Sequence, residues 1–201
     1  MKRNKSDWQA AIIRNHLSQS AAVKQDVMEK CQSDIQSAGD VLVGAFQAGG
    51  KLLLCGNGGS AADSQHIATE LVVRMGQERP GIQAIALTTD TSLMTAMTND
   101  YSFDRVFSRQ IETLGQPNDV VLGISTSGNS PNVISAAKTA RDKGMKVIVF
   151  TGKTGGALKD LSDVVIQVPS DDTQHIQEAH ITIGHILCAI IEQSLYPEYF
   201  E

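Results

Sequence analysis

Five short apolar segments alternate with segments of helical periodicity, and this alternation most strongly limits how the chain can fold. Each apolar segment is bounded by glycine, proline or polar turn residues, and most are apolar throughout. Continuously apolar strands separated by helices are typical of a parallel sheet covered on both faces. The predicted strands are Lys51–Cys55, Gln83–Leu87, Asp119–Ile124, Lys146–Phe150 and Asp163–Val168.

Helical patterns fill the intervals between these strands and extend the chain at both ends. Residues 7–48 contain no proline, and we expect two helices there, broken near Ala38-Gly39-Asp40, which cover the sheet or form a dimer contact. The prediction is a single doubly wound α/β domain, with a helical extension over 1–49, a core over 50–170 and a C-terminal helix and tail over 171–201. The later helices are predicted at Ala61–Met75, Thr91–Met97, Phe103–Thr113, Pro131–Lys143 and Thr173–Leu195.

Composition excludes several classes of protein. The 201 residues are 41% hydrophobic and 19% charged, which is ordinary for a globular domain, and no run approaches the ~20 apolar residues of a membrane span. A net charge of −5 argues against a broad nucleic-acid-binding face. Cys31, Cys55 and Cys188 are too few for a disulfide framework, and the first twenty residues lack the apolar run of a signal peptide. We therefore expect a cytoplasmic protein with buried thiols.

Two strand-to-helix junctions carry unusual polar sequences, "CGNGGSAAD" and "GISTSGNSPNV". Glycines allow backbone amides to approach an anion, and a following helix N-terminus favours negative charge. The second junction adds the hydroxyls of Ser125, Thr126, Ser127 and Ser130. Simple turn and N-cap chemistry is the alternative for either junction. Because neither GxxxxGK[ST] nor GxGxxG spacing is present, a phosphosugar is a better candidate ligand than a nucleotide.

Histidines and carboxylates concentrate in two helical segments. His66 and Glu70 are four residues apart and share one helix face. His185 lies among Ile183, Ile186 and Leu187, which predicts a buried helix where an imidazole needs a partner. Such a partner could be His66 or Glu70, although single helical histidines are usually surface or core residues. A carboxylate with histidines suits acid–base chemistry and zinc binding.

The chain resembles a known family over roughly Leu17 to Leu195. The motifs are "CGNGGSA", "RP…AIALTTD", "NDYSFDRVFSRQI", "DVVLGISTSGNS", "GMKVIVFTGK" and "IQEAHITIGHIL", in that order. They resemble the sugar-isomerase (SIS) domain family and, within it, the phosphoheptose isomerases. The resemblance implies the SIS fold, a flavodoxin-like three-layer αβα arrangement with a parallel five-stranded sheet.

The same resemblance implies an activity and an assembly. The implied reaction converts D-sedoheptulose 7-phosphate to D-glycero-D-manno-heptose 7-phosphate, the first step towards the ADP-heptose of the lipopolysaccharide core. The implied protein is a cytoplasmic homotetramer with active sites at subunit interfaces and one Zn²⁺ per subunit. Neither a membrane nor nucleic acid is an implied partner.

Residue roles follow from the matching motifs and are implied by the resemblance alone. Glu70 and His185 correspond to the acid–base pair. The metal-binding set corresponds to His66, Glu70, Gln177 and His185. The substrate-binding set corresponds to Asn57, Gly58, Gly59, Ser60, Glu70, Arg74, Asn99, Asp100, Ser125, Thr126, Ser127, Ser130 and Gln177.

Two features complicate this correspondence. Family members often have arginine where this chain has His175, so no role is transferred to His175, and none is assigned to His180. Gln177 and His185 are eight residues apart, about 12 Å along a straight helix, which two ligands of one ion could barely bridge. The helix therefore starts late, bends, or serves ions in different subunits.

A non-catalytic function is the alternative. Some relatives in the family are tetrameric scaffolds that bind the bacterial replication initiator, and their C-terminal ends resemble "SLYPEY" in this chain. In those scaffolds the histidine and glutamate positions are typically replaced. The presence of His66, Glu70, Gln177 and His185 favours the isomerase.

Overall fold

The computed structural model describes residues 5–200. The strands are β1 (Leu52–Gly56), β2 (Ala84–Ala86), β3 (Val120–Ser125), β4 (Lys146–Thr151) and β5 (Val164–Gln167). The helices are α1 (Lys5–Lys30), α2 (Gln32–Gln47), α3 (Gly59–Val72), α4 (Thr91–Asp100), α5 (Ser108–Leu114), α6 (Pro131–Asp142) and α7 (Thr173–Leu195). Short 3₁₀ turns lie at Phe103–Arg105, Gly156–Leu161 and Pro197–Tyr199.

The five strands form one parallel sheet in the order β2-β1-β3-β4-β5, which confirms the predicted doubly wound α/β fold. β1 pairs with both β2 and β3, and in the latter pair Gly56 lies opposite Ile124. From β1 the chain continues to β2 at one edge of the sheet. It then crosses back to β3 on the other side of β1 and proceeds towards the opposite edge. A ligand crevice forms at such a switch point, beyond the carboxyl ends of the two strands.

Each strand contributes side chains to two separate cores, which explains why the strands are apolar throughout. Leu52 and Leu54 pack into the core formed with α1, α2, α3 and α7. Leu53 and Cys55 point to the opposite face, into the core formed with α4, α5 and α6. Both faces of the sheet are thus withdrawn from water, as expected for parallel strands connected by crossover helices.

The predicted break between the first two helices is wrong. α1 and α2 meet at Cys31, whose Sγ donates to the carbonyl of Gln167 at 3.3 Å, whereas Gly39 lies buried inside α2. A Cβ on Gly39 would lie 3.0 Å from Cγ2 of Ile190. Glycine therefore serves the close approach of α2 to α7 instead of ending a helix. The predicted helix Phe103–Thr113 is likewise divided into a 3₁₀ turn and α5.

α7 extends over the predicted residues Thr173–Leu195, and it begins where the Asp172 carboxylate accepts from the Gln174 amide at 2.8 Å. His180 is buried in this helix beside Phe150, and its Nε2 lies 3.1 Å from the Thr151 carbonyl. Burial lowers the pKa of His180 to about 4, so the ring is neutral at physiological pH. His180 therefore has a structural role in the core.

The burial of the cysteines agrees with the sequence prediction. Cys31, Cys55 and Cys188 are buried free thiols, as expected. Among the helices within residues 5–200, none is both long and apolar enough to cross a membrane.

Candidate active site

The first predicted loop follows β1 and forms the N-terminus of α3. Gly58 has φ +56°, a left-handed conformation that favours glycine. Directly after it, the amides of Ser60 and Ala61 donate to the carbonyls of Asn57 and Gly58, both at 3.0 Å, and so begin the helix. A helix N-terminus at the end of a central strand favours an anionic group, as the sequence indicated.

Gly59 lies against the side chain of Gln177 from α7. A Cβ on Gly59 would lie 2.6 Å from Nε2 of Gln177 and 3.0 Å from its Oε1. The absence of a side chain at Gly59 is therefore what admits the Gln177 amide to this end of α3. The structure thus brings Gln177 to the first loop.

If Gln177 contacts the substrate, as the resemblance implies, replacing Gly59 with alanine is expected to raise KM about 10- to 100-fold, because a displaced Gln177 loses its hydrogen bond to that ligand. The clash involves the end of a flexible side chain, so we expect Tm to change little. Steady-state kinetics on Gly59→Ala, Gln177→Ala and the control Gly44→Ala, which has open space at its Cβ, check this. If KM rises for Gln177→Ala while Gly59→Ala remains normal, the proposed steric role of Gly59 is wrong.

The second predicted loop follows β3 and contains a cluster of hydroxyls. Ser125 Oγ lies 2.9 Å from Ser130 Oγ and 3.5 Å from Ser127 Oγ. Gly128, at φ +66°, turns the chain, and the Thr126 carbonyl accepts from the Gly152 amide at 2.9 Å. Since Pro131 then begins α6, these hydroxyls surround a second helix N-terminus.

An asparagine pair that sequence reasoning missed joins the two loops. Asn57 Nδ2 donates to Asn132 Oδ1 at 2.9 Å, and Asn132 Nδ2 donates to Asn57 Oδ1 at 2.8 Å. Asn132 is buried at the start of α6. Both asparagines lie in the quoted loop motifs, but their pairing depends on β1 and β3 being neighbours. The pair fixes the spacing between the two candidate anion sites.

His66, Glu70 and His185 converge as the sequence suggested. His66 Nε2 lies 3.0 Å from Glu70 Oε1 and 3.1 Å from His185 Nε2, and the two rings meet edge to face. His66 is exposed, whereas Glu70 and His185 are half-buried. The environment of His185 is less buried than predicted, because Ile186 is 40% exposed. The cluster opens to the surface of the subunit.

Gln177 lies apart from this cluster along the same helix. α7 begins before Gln177 and runs without a break past His185, and part of it packs beside α3. Gln177 contacts Gly59, whereas His185 contacts His66. Two turns of helix therefore separate the loop contact from the histidine contact, about 12 Å.

Asp63 is a further titratable residue that sequence reasoning missed. It lies on α3 between the first loop and His66, and its Oδ2 is buried without a hydrogen-bond partner among the described residues. Burial raises the pKa of this carboxyl to about 6, although the nearby His66 opposes the shift. In the sequence, Asp63 could have been identified from its spacing of three residues from His66, which places both side chains on one face of a helix.

Three other predicted residues lie outside the two loops and the histidine cluster. Asn99 and Asp100 end α4, are exposed, and bond to each other at 2.8 Å. Arg74 follows α3 and forms an exposed ion pair with Glu78 at 3.5 Å. Among the polar contacts within residues 5–200, none brings these three side chains to the histidine cluster.

A buried ion pair supports the backbone of Glu70. The side chains of Arg79 and Glu192 are 0% and 1% exposed, and Arg79 Nη2 lies 2.7 Å from Glu192 Oε1. Arg79 also donates to the carbonyl of Glu70 at 2.8 Å and to that of Leu71 at 2.6 Å. The pair links the end of α3 to α7. In the sequence, the motif that begins with Arg79-Pro80 marked this position, but it did not indicate that Glu192 is the partner of Arg79.

The fold and the two loops define an α/β protein with two candidate anion sites at the switch point of its sheet, and comparison with known proteins identifies its class. A family model described as SIS domain matches residues 15–152, so the chain is a SIS-domain protein. Within that class, the chain belongs to the phosphoheptose isomerase family, a family of enzymes. The relatives below are similar to it over nearly their whole length.

The phosphoheptose isomerase of Roseiflexus sp. (strain RS-1) is 52% identical over 193 residues, which cover 96% of this chain and 98% of the relative. The structure of a phosphoheptose isomerase from Neisseria gonorrhoeae is 41% identical, covers 92% of this chain and 99% of its own, and superposes with a TM-score of 0.88. A phosphoheptose isomerase from Francisella tularensis gives 39% identity, 92% and 98% coverage, and a TM-score of 0.89.

Proposed function

We propose that this chain isomerises D-sedoheptulose 7-phosphate to D-glycero-D-manno-heptose 7-phosphate. The proposal rests on family membership together with one structural observation. That observation is the convergence of His66, Glu70 and His185 on the helices that also border the first loop. An acid–base group and an anion site on one pair of helices are what a phosphosugar isomerase requires.

The two loops are proposed to hold the phosphate end of the sugar. Supporting features are two helix N-termini, the hydroxyls of Ser125, Ser127 and Ser130, and the Asn57–Asn132 pair that keeps the loops together. His66 follows Ser60 by six residues, about 9 Å along α3. An extended sugar phosphate that is bound at the loops would therefore present its far carbons to the histidine cluster.

Aldose–ketose isomerisation moves a proton between C1 and C2 through an enediol. In our proposal the Glu70 carboxylate removes the proton from C1 and returns it to C2. His185 transfers the hydroxyl or ring-opening proton, and His66 lies beside the Glu70 carboxylate at 3.0 Å. Arg79 fixes the backbone at Glu70, so the base has a defined position on α3.

The residues of the cluster also fit a zinc ion. Two imidazole nitrogens and a carboxylate oxygen lie within 4.8 Å of one another, and this donor set is typical of zinc. A single proton on His66 Nε2 can form a hydrogen bond to only one neighbour, Glu70 or His185. A cation between the three side chains would instead be bound by all three donor atoms. When bound, zinc would supply Lewis-acid polarisation of the substrate carbonyl. Gln177, two turns away, is proposed to contact substrate or an ion shared with another subunit.

A homotetramer with shared active sites would account for the remaining residues. The histidine cluster opens to the surface, and Asn99, Asp100 and Arg74 are exposed away from it. Several apolar side chains are also exposed, including Ile12, Leu17 and Val73. In this proposal a second subunit covers the exposed apolar side chains and supplies Asn99 and Asp100 to the site. The whole chain is one SIS domain, which the N- and C-terminal helical segments extend. A cytoplasmic role at the start of lipopolysaccharide heptose synthesis belongs to the same proposal.

A turnover assay tests the function directly. The purified, zinc-loaded chain is incubated with sedoheptulose 7-phosphate, and the heptose phosphate product is followed by chromatography. We expect product formation, loss of turnover after treatment with a chelator, and recovery when Zn²⁺ is restored. Absence of product with and without zinc would exclude the isomerase, and binding to purified replication initiator would then support the scaffold alternative.

A further inference from the structure

A second group of metal-ligating side chains lies where α1 crosses α7. His16 Nε2 is 2.8 Å from Glu178 Oε1, and His175 Nδ1 is 3.3 Å from Glu178 Oε2. One ligand atom from each of these three residues lies within 4.8 Å of the others. None of the three belongs to the histidine cluster at Glu70, so this group is a separate feature of the subunit.

His175 is held in the orientation of a metal ligand. Its side chain is 4% exposed, and its Nε2 lies 3.3 Å from Oε1 of Gln19 on α1. If Nε2 donates to this amide oxygen, Nδ1 keeps a lone pair that faces the Glu178 carboxylate. Metal-binding histidines commonly show this arrangement, in which the outer nitrogen donates to an oxygen and fixes the tautomer.

The spacing of the three donors suits a small cation. A tetrahedral ion with bonds of ~2.0–2.2 Å holds its ligand atoms about 3.3–3.6 Å apart. The two contacts are to different oxygens of Glu178: His175 Nδ1 lies 3.3 Å from Oε2, which is within this range, and His16 Nε2 lies 2.8 Å from Oε1, about half an ångström short of it. The side chain of His16 is 40% exposed, so it can make that shift.

We infer that His16, His175 and Glu178 bind a divalent transition-metal ion, with Zn²⁺ as the best fit to two imidazoles and one carboxylate. The ion links α1 to α7, because one ligand comes from α1 and two come from α7. Its role is to hold α1 against the rest of the subunit. This inference does not depend on the proposed isomerase activity.

The experiment removes the two histidines of the histidine cluster and measures how much Zn²⁺ the chain still binds. In the variant His66→Ala/His185→Ala, equilibrium dialysis against Zn²⁺ followed by elemental analysis is expected to find about one ion per chain. Adding His16→Asn or His175→Gln to this variant is expected to weaken Zn²⁺ binding at least ~10-fold. Asn15→Ala, an exposed change on the same turn of α1, is the matched control and should retain the ion.

Thermal unfolding provides the second measurement. Zn²⁺ should raise the Tm of the His66→Ala/His185→Ala variant, since an ion that binds the folded chain stabilises it, and the added His16→Asn should abolish this rise. His16 is partly exposed, so its variant is expected to fold even if His175→Gln does not. If the starting variant binds no Zn²⁺, or if His16→Asn leaves binding unchanged, the cluster is held by protons alone and the inference is overturned.

Discussion

Replacing Glu70 with glutamine is expected to lower kcat for sedoheptulose 7-phosphate by about 10²–10⁴-fold. The amide retains the size of the side chain and can still accept from His66, but it cannot take a proton from C1. Because Glu70 Oε1 is 3.0 Å from His66 Nε2, little rearrangement of α3 is expected. The measurement is kcat under saturating substrate, with circular dichroism to check the fold.

The control must separate loss of the base from loss of metal. Zinc content of Glu70→Gln is measured on the same samples, and a loss of kcat with zinc retained assigns the effect to the base. Glu112→Gln is the matched control, because Glu112 on α5 is paired with Arg109 on the same helix and with Arg105 in the preceding 3₁₀ turn, away from the histidine cluster. Near-normal turnover by Glu70→Gln would refute the assignment of Glu70 as the base.

Breaking the buried pair of Arg79 and Glu192 is expected to produce the largest loss of stability. Removal of one partner leaves an uncompensated buried charge, and we expect Arg79→Met or Glu192→Met to lower the free energy of unfolding by about 3–5 kcal/mol. Both side chains are at most 1% exposed, so solvent cannot replace the lost partner. Urea denaturation followed by circular dichroism measures the change.

A double-variant cycle tests the cause of this loss. Arg79→Met/Glu192→Met leaves neither charge unpaired and should therefore cost less than the sum of the two single losses. Arg74→Met, which breaks an exposed pair of the same kind, is expected to cost at most ~1 kcal/mol. Equal costs for the buried and exposed pairs would show that burial does not determine the value of the interaction.

The strands were predictable because their pattern is local. The apolar run Leu52–Cys55 covers both strand faces and lies between Gly50 and Gly56, so the sequence indicated a buried strand, and β1 begins within one residue of the prediction. Helix division was less predictable. Gly39 indicated a break because a glycine in a helical pattern can end the helix, whereas here it accommodates Ile190 from a distant helix.

The candidate site was predictable in its parts but not in its assembly. The spacing of His66 and Glu70 is sufficient to place both side chains on one helix face. The Asn57–Asn132 pair and the Arg79–Glu192 pair were missed, because their partners lie 75 and 113 residues apart in the chain. No periodic pattern connects residues at such separations.

The sequence by itself determined the alternation of strands and helices, the two glycine- and serine-containing loops, and the family to which the chain belongs. These depend on local periodicity, turn chemistry and ordered motifs. Tertiary structure decided that His185 meets His66, that Gln177 instead meets Gly59, and that His16 meets Glu178. Those contacts depend on how α1, α3 and α7 pack against one face of the sheet, since packing in three dimensions joins side chains that are remote along the chain.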